Sequence, residues 1–434
     1  SLAKYNLVDQ AIDEYEDTSG VDAGASTNEV RDASGKYYAG SGTASPTISG
    51  NYDDSGTDGS YSWYKWTTVT ASGSYTTDVA QDYEYLVIGG GGGGGAGWSG
   101  SAGGGAGGGA GGFRANAAYD FAVAATTISS ITVGDGGATL AEDSSTAGHS
   151  GDDSVFSTIT ADGGGGGGTR FSDTALRDGL DGGSGGGGSY LGGTGGSATA
   201  GQGNDGGTND GDTGAAGGGG AGGAGGVNST QNGGAGGAGS ASDIIETSTN
   251  VTYAGGGGGG AGGGGSAGAA GTGGGGAGGA DNGIGANGSD GLGGGGGGDG
   301  ARGDNSGSGG SGIVIIRRLT SPTVTLDMTL QSVDTSAEDE PDKSDMVMLI
   351  ENATGTATLN TDIKGYISRD SGSNFTQGTL VDEGSWGTNK KILAFHDLDI
   401  SAQPSGTSMC YKIETLNQGV SKDTRIYATS IGWR

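Results

Sequence analysis

The chain has 434 residues, of which 110 are glycine, while only 31% are hydrophobic and 6% are aromatic. This composition is far from that of ordinary globular proteins and excludes a single large apolar core, although the length is sufficient for two or three domains. The net charge of −30 argues against binding to nucleic acid or to an anionic membrane surface, because both would repel the protein.

Residues 1–60 form an acidic zone that is rich in turn residues, and "NYDDSGTDG" at 51–59 is typical of a loop. The segment "VDQAIDEYED" at 8–17 fits neither the helical nor the strand period well, which leaves a short helix or an edge strand open. We predict a first domain over 1–60 that is irregular with a few strands. Ser1 fits both loss of an initiator methionine after cytosolic synthesis and an earlier cleavage during secretion.

Residues 89–312 hold 92 of the 110 glycines, and short strand-like segments interrupt them. Four of these segments run directly into glycine, namely "YEYLVI", "SSITV", "SVFSTITAD" and "NVTYA", and "SGIVIIRR" at 311–318 leaves the last tract. A flexible tether has no reason to be interrupted in this way, although such a tether is the usual interpretation of glycine-rich sequence. The order favours a small β-sandwich over 61–319 whose connections are long glycine excursions.

The glycine tracts need a source of cohesion other than apolar side chains. Ordering 92 glycines costs on the order of 100 kcal/mol of backbone entropy, and only hydrogen bonds between backbones are available to offset it. Extended helices with three residues per turn point their amides and carbonyls outwards, so several of them can bond side by side. We therefore expect a bundle of polyglycine II helices. Collagen is excluded, because the tracts contain six and seven consecutive glycines and the chain has four prolines.

Residues 320–434 have an ordinary composition and several strand-like segments separated by turn residues, among them "MVMLIEN", "KKILAFHDLDI", "MCYKIETL" and "RIYATSIGW". This spacing is typical of an all-β sandwich, and the segment is long enough to fold alone. The fold class predicted for the whole chain is therefore all-β.

Several motifs lack the context that their chemistry requires. The seven-glycine run has no following Lys-Ser/Thr, so it does not match a phosphate-binding loop. "RGD" at 302–304 is expected by chance in a chain this rich in Gly and Asp, and "SRDSGSNF" at 368–375 matches an Asp-box hairpin, which is structural. The acidic stretches 51–59 and 203–212 are solvated loops rather than calcium sites in our interpretation, since Lys65 stands where an EF-hand loop requires glutamate.

The chain offers few side chains for catalysis. His149 and His396 are its two histidines and Cys410 is its one cysteine, which leaves little material for a nucleophilic triad or a zinc site. We predict no catalytic residue, no cofactor and no metal site, and hence a protein that is not an enzyme. A glycosidase with paired carboxylates is the remaining catalytic alternative, but no specific pair is marked.

Aromatic residues in or near the glycine zone are the candidates for ligand binding. Trp98 and Tyr190 stand alone among glycines, where flat rings could stack on sugars, and Trp386 in the last domain is a third candidate. Phe113, Tyr119 and Phe171 are interpreted instead as residues that cap the bundle or fill the sandwich.

The segments "SYTTDVAQDYEYLVIGGGGGGGAG", "ITVGDGGA", "TITADGGGGGG", "VTYAGGGGGGAGGGG" and "GGSGIVIIRR" occur in this order. They resemble the glycine-rich domain of tail-fibre and tail-tip adhesins of tailed bacteriophages, especially marine ones, over residues 61–318. A similar plan, with cysteines, occurs in the ectodomain of anaplastic lymphoma kinase. The phage resemblance implies packed polyglycine II helices, tip loops that contact host receptors, and no enzymatic activity. "STNEVRDASGKYYAG" and "QPSGTSMCYKIETLNQ" resemble segments of marine phage fibre proteins, which implies a jelly-roll-like module.

The predicted function is that of a non-enzymatic, extracellular structural and adhesion protein on a virion tail. Its expected partners are a host cell-surface receptor or glycan and other virion subunits, reached by self-association, with no nucleic acid and no membrane insertion. The alternative is a self-assembling extracellular filament subunit, in which residues 1–17 add a strand to a neighbouring chain.

Overall fold

The computed structural model describes residues 9–100, 102–171 and 173–434, without the side chains at 70, 71 and 117. These residues form two compact units. The terminal unit combines the described part of residues 1–45 with residues 321–434, and the glycine-rich unit spans Pro46–Thr320. The first predicted boundary, near residue 60, therefore differs from the observed division, in which the N-terminal residues belong with the C-terminal ones.

The described residues are all-β, with 25 strands and one short 3-10 helix, η1 (Thr174–Arg177), and without an α-helix. The strands are β1 (Asp9–Asp13), β2 (Glu29–Asp32), β3 (Tyr37–Thr43), β4 (Ile48–Gly50), β5 (Asp54–Asp58), β6 (Tyr61–Trp66), β7 (Thr70–Thr77), β8 (Gln81–Ile88), β9 (Phe113–Val123), β10 (Thr127–Val133), β11 (Ser154–Phe156), β12 (Ile159–Ala161), β13 (Ser240–Ser242), β14 (Val251–Tyr253), β15 (Ile313–Leu319), β16 (Thr323–Thr325), β17 (Met328–Gln331), β18 (Thr335–Ser336), β19 (Lys343–Thr354), β20 (Ile363–Ser368), β21 (Thr376–Gly378), β22 (Val381–Gly387), β23 (Lys390–Asp399), β24 (Ser408–Thr415) and β25 (Asp423–Trp433). In this part of the chain no helix has the length and apolar character needed to cross a bilayer.

The terminal unit contains two antiparallel sheets. The larger has the order β16-β3-β25-β19-β23-β22, with β1 also on β25 and β2 also on β3, and the smaller has the order β17-β24-β20-β21, with β18 on β24. Inward residues of both sheets share one apolar cluster, with Met346 and Ile350 from the first and Ile363 and Ile413 from the second. The unit is therefore sandwich-like.

The described part of the N-terminal segment pairs and packs with the C-terminal strands of this unit. The strand β1 pairs with β25 from Asp9↔Trp433 to Asp13↔Thr429, so the segment at 8–17 is an edge strand where it is described. Tyr15 is fully buried in the shared cluster, and its hydroxyl hydrogen-bonds the hydroxyls of Thr429 at 2.7 Å and Tyr411 at 3.1 Å. These contacts join residues about 400 positions apart, which no local pattern in the sequence can indicate.

The glycine-rich unit contains two five-stranded antiparallel sheets, β5-β6-β15-β8-β9 and β12-β11-β10-β7-β4, and the hairpin β13-β14. The central strands β8 and β15 pair in register from Ile313↔Ile88 to Arg318↔Tyr83. One face of this pair packs on residues of the second sheet such as Ile131, and the opposite face packs on Ile244 and Tyr253. Burial of both faces explains why "YLVI" and "IVII" are continuous apolar runs.

The glycine tracts between these strands are neither strand nor α-helix, and most of their residues are buried. In residues 90–95, successive amides donate to three neighbouring segments in rotation, at 2.8 to 2.9 Å. The acceptor carbonyls are those of Asp152, Gly310, Gly109, His149, Gly307 and Ala106, in that order. Each neighbouring segment therefore accepts a hydrogen bond from every third residue of the tract. The residue number of the acceptor decreases by three each time, so all three neighbouring segments run antiparallel to the first tract.

The tracts approach one another too closely for most side chains. A Cβ atom added to Gly91 or Gly94 would lie well inside contact distance of the backbone carbonyl of Gly294 or Gly297. Glycine is required at such positions because the neighbouring backbone occupies the space of a side chain, and the tract is held by hydrogen bonds rather than by apolar packing.

Candidate functional site

Loops that follow several tracts come together at one end of the glycine-rich unit, which we call the distal end. The tract 89–97 leaves β8 and the tract 103–112 returns to β9, so Trp98 lies in the connection remote from the sheets. The tract 163–169 leaves β12 parallel to 89–97, because the amides of Gly164, Gly167 and Arg170 donate to the carbonyls of Gly90, Gly93 and Ala96. This register brings residue 170 beside the end of the first tract.

A third tract, 183–189, runs parallel to the second. Gly165 donates to Ser184 and Gly168 donates to Gly187, each at 2.9 Å, so Tyr190 follows the third tract at the same end. Tyr190 and Leu191 have positive φ angles of 20° and 50° in the turn that follows. Such angles are uncommon for residues other than glycine, and here the turn is held by bonds from Leu191 N–H to Asp212 and from Gly192 N–H to Asn209.

Two of the three aromatic residues selected from the sequence meet at an arginine. The guanidinium carbon of Arg170 lies 5.1 Å from the ring centre of Trp98 and 4.5 Å from that of Tyr190, both within cation–π range. Arg177 lies 5.5 Å from the Tyr190 ring, and Phe171 packs edge-on against Trp98 with centroids 5.5 Å apart. We call these five residues the distal cluster. The rings of Trp98, Phe171 and Tyr190 are half-buried, so part of each ring faces solvent.

A shallow cleft of about 350 Å³ adjoins the distal cluster. It is lined by Thr174, Ala175, Arg177, Asp178, Leu191, Gly192 and Gly193. The cleft therefore shares Arg177 with the cluster and lies under the turn that carries Tyr190. Half-exposed rings, two arginines and an adjacent depression are an arrangement that can hold a polar ring-shaped molecule.

Two acidic residues, the buried Asp299 and the exposed Asp143, anchor the loop that carries Trp98. Gly97 N–H donates to Asp299 Oδ2 at 3.2 Å, and the backbone N–H and hydroxyl of Ser99 donate to the carboxylate of Asp143 at 2.8 and 2.6 Å. Asp299 is fully buried, and its Oδ1 has no hydrogen-bond partner among the described residues. Burial raises the pKa of Asp299 to about 7, and the nearby acidic groups of Glu142 and Asp304 add to the rise.

The third candidate, Trp386, lies in the terminal unit and takes no part in the distal cluster. It is 37% exposed and contacts Lys390 and Tyr427.

Sequence reasoning missed Arg170 and Arg177. The sequence did contain a signal for Arg170. This arginine comes directly after the tract 163–169, as Trp98 comes directly after the tract 89–97, so both residues could have been expected in loops at tract ends. Of the residues interpreted as caps or filling, Phe171 belongs to the cluster, whereas Tyr119 stacks on Tyr61 of β6 with centroids 5.0 Å apart.

The remaining motifs have structural partners. Arg302 of the "RGD" sequence forms a two-bonded ion pair with Asp281 at 2.6 and 2.8 Å. Asp370 of the Asp-box accepts bonds from Asn374 N–H and the Ser368 hydroxyl, which closes that turn. Across the residues described, no three His, Cys, Asp or Glu side chains are grouped to hold a metal ion.

Comparison with known proteins gives one family. The family model described as "Glycine-rich domain" matches residues 67–318, which is more than half of the chain. No curated protein matches the sequence. The matched range begins just after β6 and ends in β15, so it contains the glycine tracts and the distal cluster.

Proposed function

Because the chain belongs to the glycine-rich domain family, we propose that it is a non-enzymatic extracellular adhesion protein whose glycine-rich unit presents a receptor-binding end. The first part of the proposal is that the tracts are polyglycine II helices packed in a bundle. The supporting observation is that hydrogen-bond partners in residues 90–95 recur at every third residue, which is the number of residues per turn of such a helix.

The second part of the proposal is that the distal cluster binds a host cell-surface glycan. The observation that carries it is the convergence of Trp98 and Tyr190 on Arg170, with both rings partly exposed. The apolar face of a sugar packs well on a flat ring, while the guanidinium groups of Arg170 and Arg177 supply hydrogen-bond donors for hydroxyl or acidic substituents. The tract ends fix the positions of all three loops, so little ordering is needed on binding.

The proposed setting is the tail of a virion, as the resemblance to phage tail-fibre and tail-tip adhesins implies. The net charge of −30 keeps such a protein soluble, and salt screens its self-repulsion over about 10 Å or less. The terminal unit would be the jelly-roll-like module of the adhesin, which is supported by its two antiparallel sheets around one apolar cluster.

The filament subunit remains the second candidate, but the described residues favour it less. The filament hypothesis depends on residues 1–17 adding a strand to a neighbouring chain. Residues 1–8 lie outside the described part, and residues 9–13 already pair with β25 of the same chain. Negative-stain microscopy at micromolar concentration separates the candidates, since polymers favour the filament and discrete particles favour the adhesin.

Binding to envelope polysaccharides from candidate host bacteria tests the function. We expect Trp98→Ala and Tyr190→Ala each to weaken binding about 30-fold, the effect of losing a central aromatic contact worth about 2 kcal/mol. Trp63→Ala is the matched control, because Trp63 is a half-buried tryptophan of the same unit that contacts Lys65 on β6, away from the cluster. Absence of binding to any cell-surface glycan, or an equal loss with Trp63→Ala, would contradict the proposal. Immunogold labelling of virions tests the proposed location.

A further inference from the structure

The terminal unit has its own arrangement of rings and cations, on the solvent face of its larger sheet. Tyr37, Arg425 and Tyr427 alternate along their strands with the core residues Tyr38 and Ile426, so they lie on the face opposite the core. Trp386 of β22 and Lys390 of β23 complete the set from the strands on the other side of β19. We call Tyr37, Arg425, Tyr427, Lys390 and Trp386 the aromatic row.

The members of the aromatic row form a continuous chain of contacts. The ring of Tyr427 lies 5.3 Å from Tyr37 on one side and 5.2 Å from Trp386 on the other. Lys390 Nζ lies 4.3 Å from the Tyr427 ring centre and 4.4 Å from that of Trp386, and the Arg425 guanidinium carbon lies 4.8 Å from Tyr37. The row draws its members from β3, β25, β23 and β22, and its outer ring centres, Tyr37 and Trp386, are at most about 11 Å apart because the Trp386 side chain reaches back over β19.

The rings are held in place before any ligand arrives. Trp386 Nε1 donates to the backbone carbonyl of Ile350 at 3.2 Å, and the Tyr427 hydroxyl donates to the carboxylate of Glu351. Both partners belong to β19, in the middle of the sheet. Fixed rings lose little conformational freedom on binding, which favours a rigid recognition surface.

At the Tyr37 end, the row opens into a cleft of about 310 Å³. Tyr37 and Arg425 line this cleft together with Arg31, Asp32, Asp423 and the residues of β16. The surface is thus a row of rings, tilted by 43° and 72° to one another, that leads into a polar depression. An extended chain of ring-shaped units fits this form better than a compact molecule does.

The charge of Lys390 indicates which chemistry the row would select. Lys391 pairs with Asp382 at 2.9 Å and Lys343 with Asp399 at 3.4 Å, whereas Lys390 makes no ion pair within the described part of the chain. Its cross-strand neighbour Glu351 accepts the hydrogen bond of the Tyr427 hydroxyl and makes no ion pair with Lys390. Lys390 lies between two rings, so an acidic group of a ligand that packs on those rings would find its counter-ion there.

We propose that the aromatic row is a second binding site, specific for a polysaccharide of uronic acid units, whose ring faces pack on Trp386 and Tyr427 while a carboxylate pairs with Lys390. The site belongs to the terminal unit and is independent of the function proposed for the distal cluster. The carboxylate contact adds to the stacking contact, so acidic chains bind more tightly than neutral chains of the same shape.

The test uses the full chain with oligogalacturonate and with its methyl ester, which has the same rings without the charge. We expect the wild-type protein to bind the acid at least tenfold more tightly than the ester in calorimetric titrations, with an affinity that falls as salt rises. Lys390→Met keeps the apolar stem over the rings and should lose this tenfold preference, while Trp386→Ala should weaken binding of both ligands.

Two controls separate this site from other causes. Lys391→Met removes a neighbouring lysine that is already paired and should leave the preference unchanged, and Trp98→Ala should have no effect on galacturonate. Circular dichroism checks that each variant is folded. Equal affinity for acid and ester, no binding by the wild-type protein, or an equal loss with Lys391→Met would overturn the proposal. If the distal cluster fails its own test while Lys390→Met behaves as expected, only the function proposed for the glycine-rich unit is refuted.

Discussion

Replacing Asp299 with asparagine should stabilise the glycine-rich unit at neutral and alkaline pH. The side chain is fully buried, one carboxylate oxygen has no hydrogen-bond partner among the described residues, and burial raises its pKa from 3.8 to about 7. The folded state therefore holds the proton more tightly than the unfolded state does. Stability is undiminished below about pH 4, and it falls as the pH rises towards 7 because the unfolded carboxyl ionises first.

The size of the effect follows from the two pKa values. A rise from 3.8 to about 7 corresponds to a loss of roughly 4 kcal/mol once the pH is above 7. Asn has the shape of the protonated acid and cannot ionise, so Asp299→Asn should show no such loss. We expect the variant to match the wild-type protein near pH 4 and to be about 4 kcal/mol more stable at pH 8.

Hydrogen exchange of the amides in 89–112, followed by mass spectrometry at several pH values, measures this difference in stability in the tracts next to Asp299. Gly97 donates to Asp299, so opening of this region reports on the carboxylate directly. Glu142→Gln is a useful second variant, because removal of its charge should lower the pKa of Asp299 and reduce the pH dependence in the wild-type background. A difference that is the same at pH 4 and pH 8, or a variant that is less stable at pH 8, would refute the reasoning.

Three further predictions concern packing, charge and reactivity. Gly94→Ala should destabilise the glycine-rich unit by about 3 kcal/mol in chemical denaturation, whereas Gly223→Ala, whose added Cβ is 3.5 Å from its nearest neighbour, should cost under 1 kcal/mol; equal losses would argue against backbone crowding. Glu84→Gln should cost about 3 kcal/mol, because it removes the buried carboxylate that pairs with Arg317 at 2.7 Å and leaves only the more distant and more exposed Asp58 at 3.8 Å, and a cost below 1 kcal/mol would contradict this. Cys410 is fully buried and burial raises its pKa to about 12, so iodoacetamide at pH 8 should label it only as the terminal unit unfolds; rapid labelling of the native protein would be inconsistent with that burial.

The parts of the fold that sequence predicted are those encoded by side chains. Strands β8 and β15 were recognisable because both their faces are buried and their apolar runs are continuous. The assignment of residues 9–45 to the terminal unit was not recognisable, since it depends on pairs such as Asp9↔Trp433. The all-β class could therefore be predicted, but the first boundary could not.

The contacts within the distal cluster could not be predicted from the sequence either. Trp98 and Tyr190 stood out as lone aromatic residues, but their meeting at Arg170 depends on which tract lies beside which. That register is set by hydrogen bonds between glycine backbones, such as the bond from Gly167 to Gly93. A tract without side chains carries no pattern from which its neighbour could be identified.

The interior of the glycine-rich unit consists of tracts that recognise each other through main-chain atoms alone. Since these hydrogen bonds use only main-chain groups, which are the same in all residues except proline, the cohesion of the interior does not depend on the side chains of the connecting loops. New peptide segments could be grafted at 98–100 or 190–192 with the underlying tracts unchanged. Such a scaffold would allow a lineage to exchange its contact surface rapidly while keeping one architecture, and it would allow an engineer to display unrelated loops on the same support.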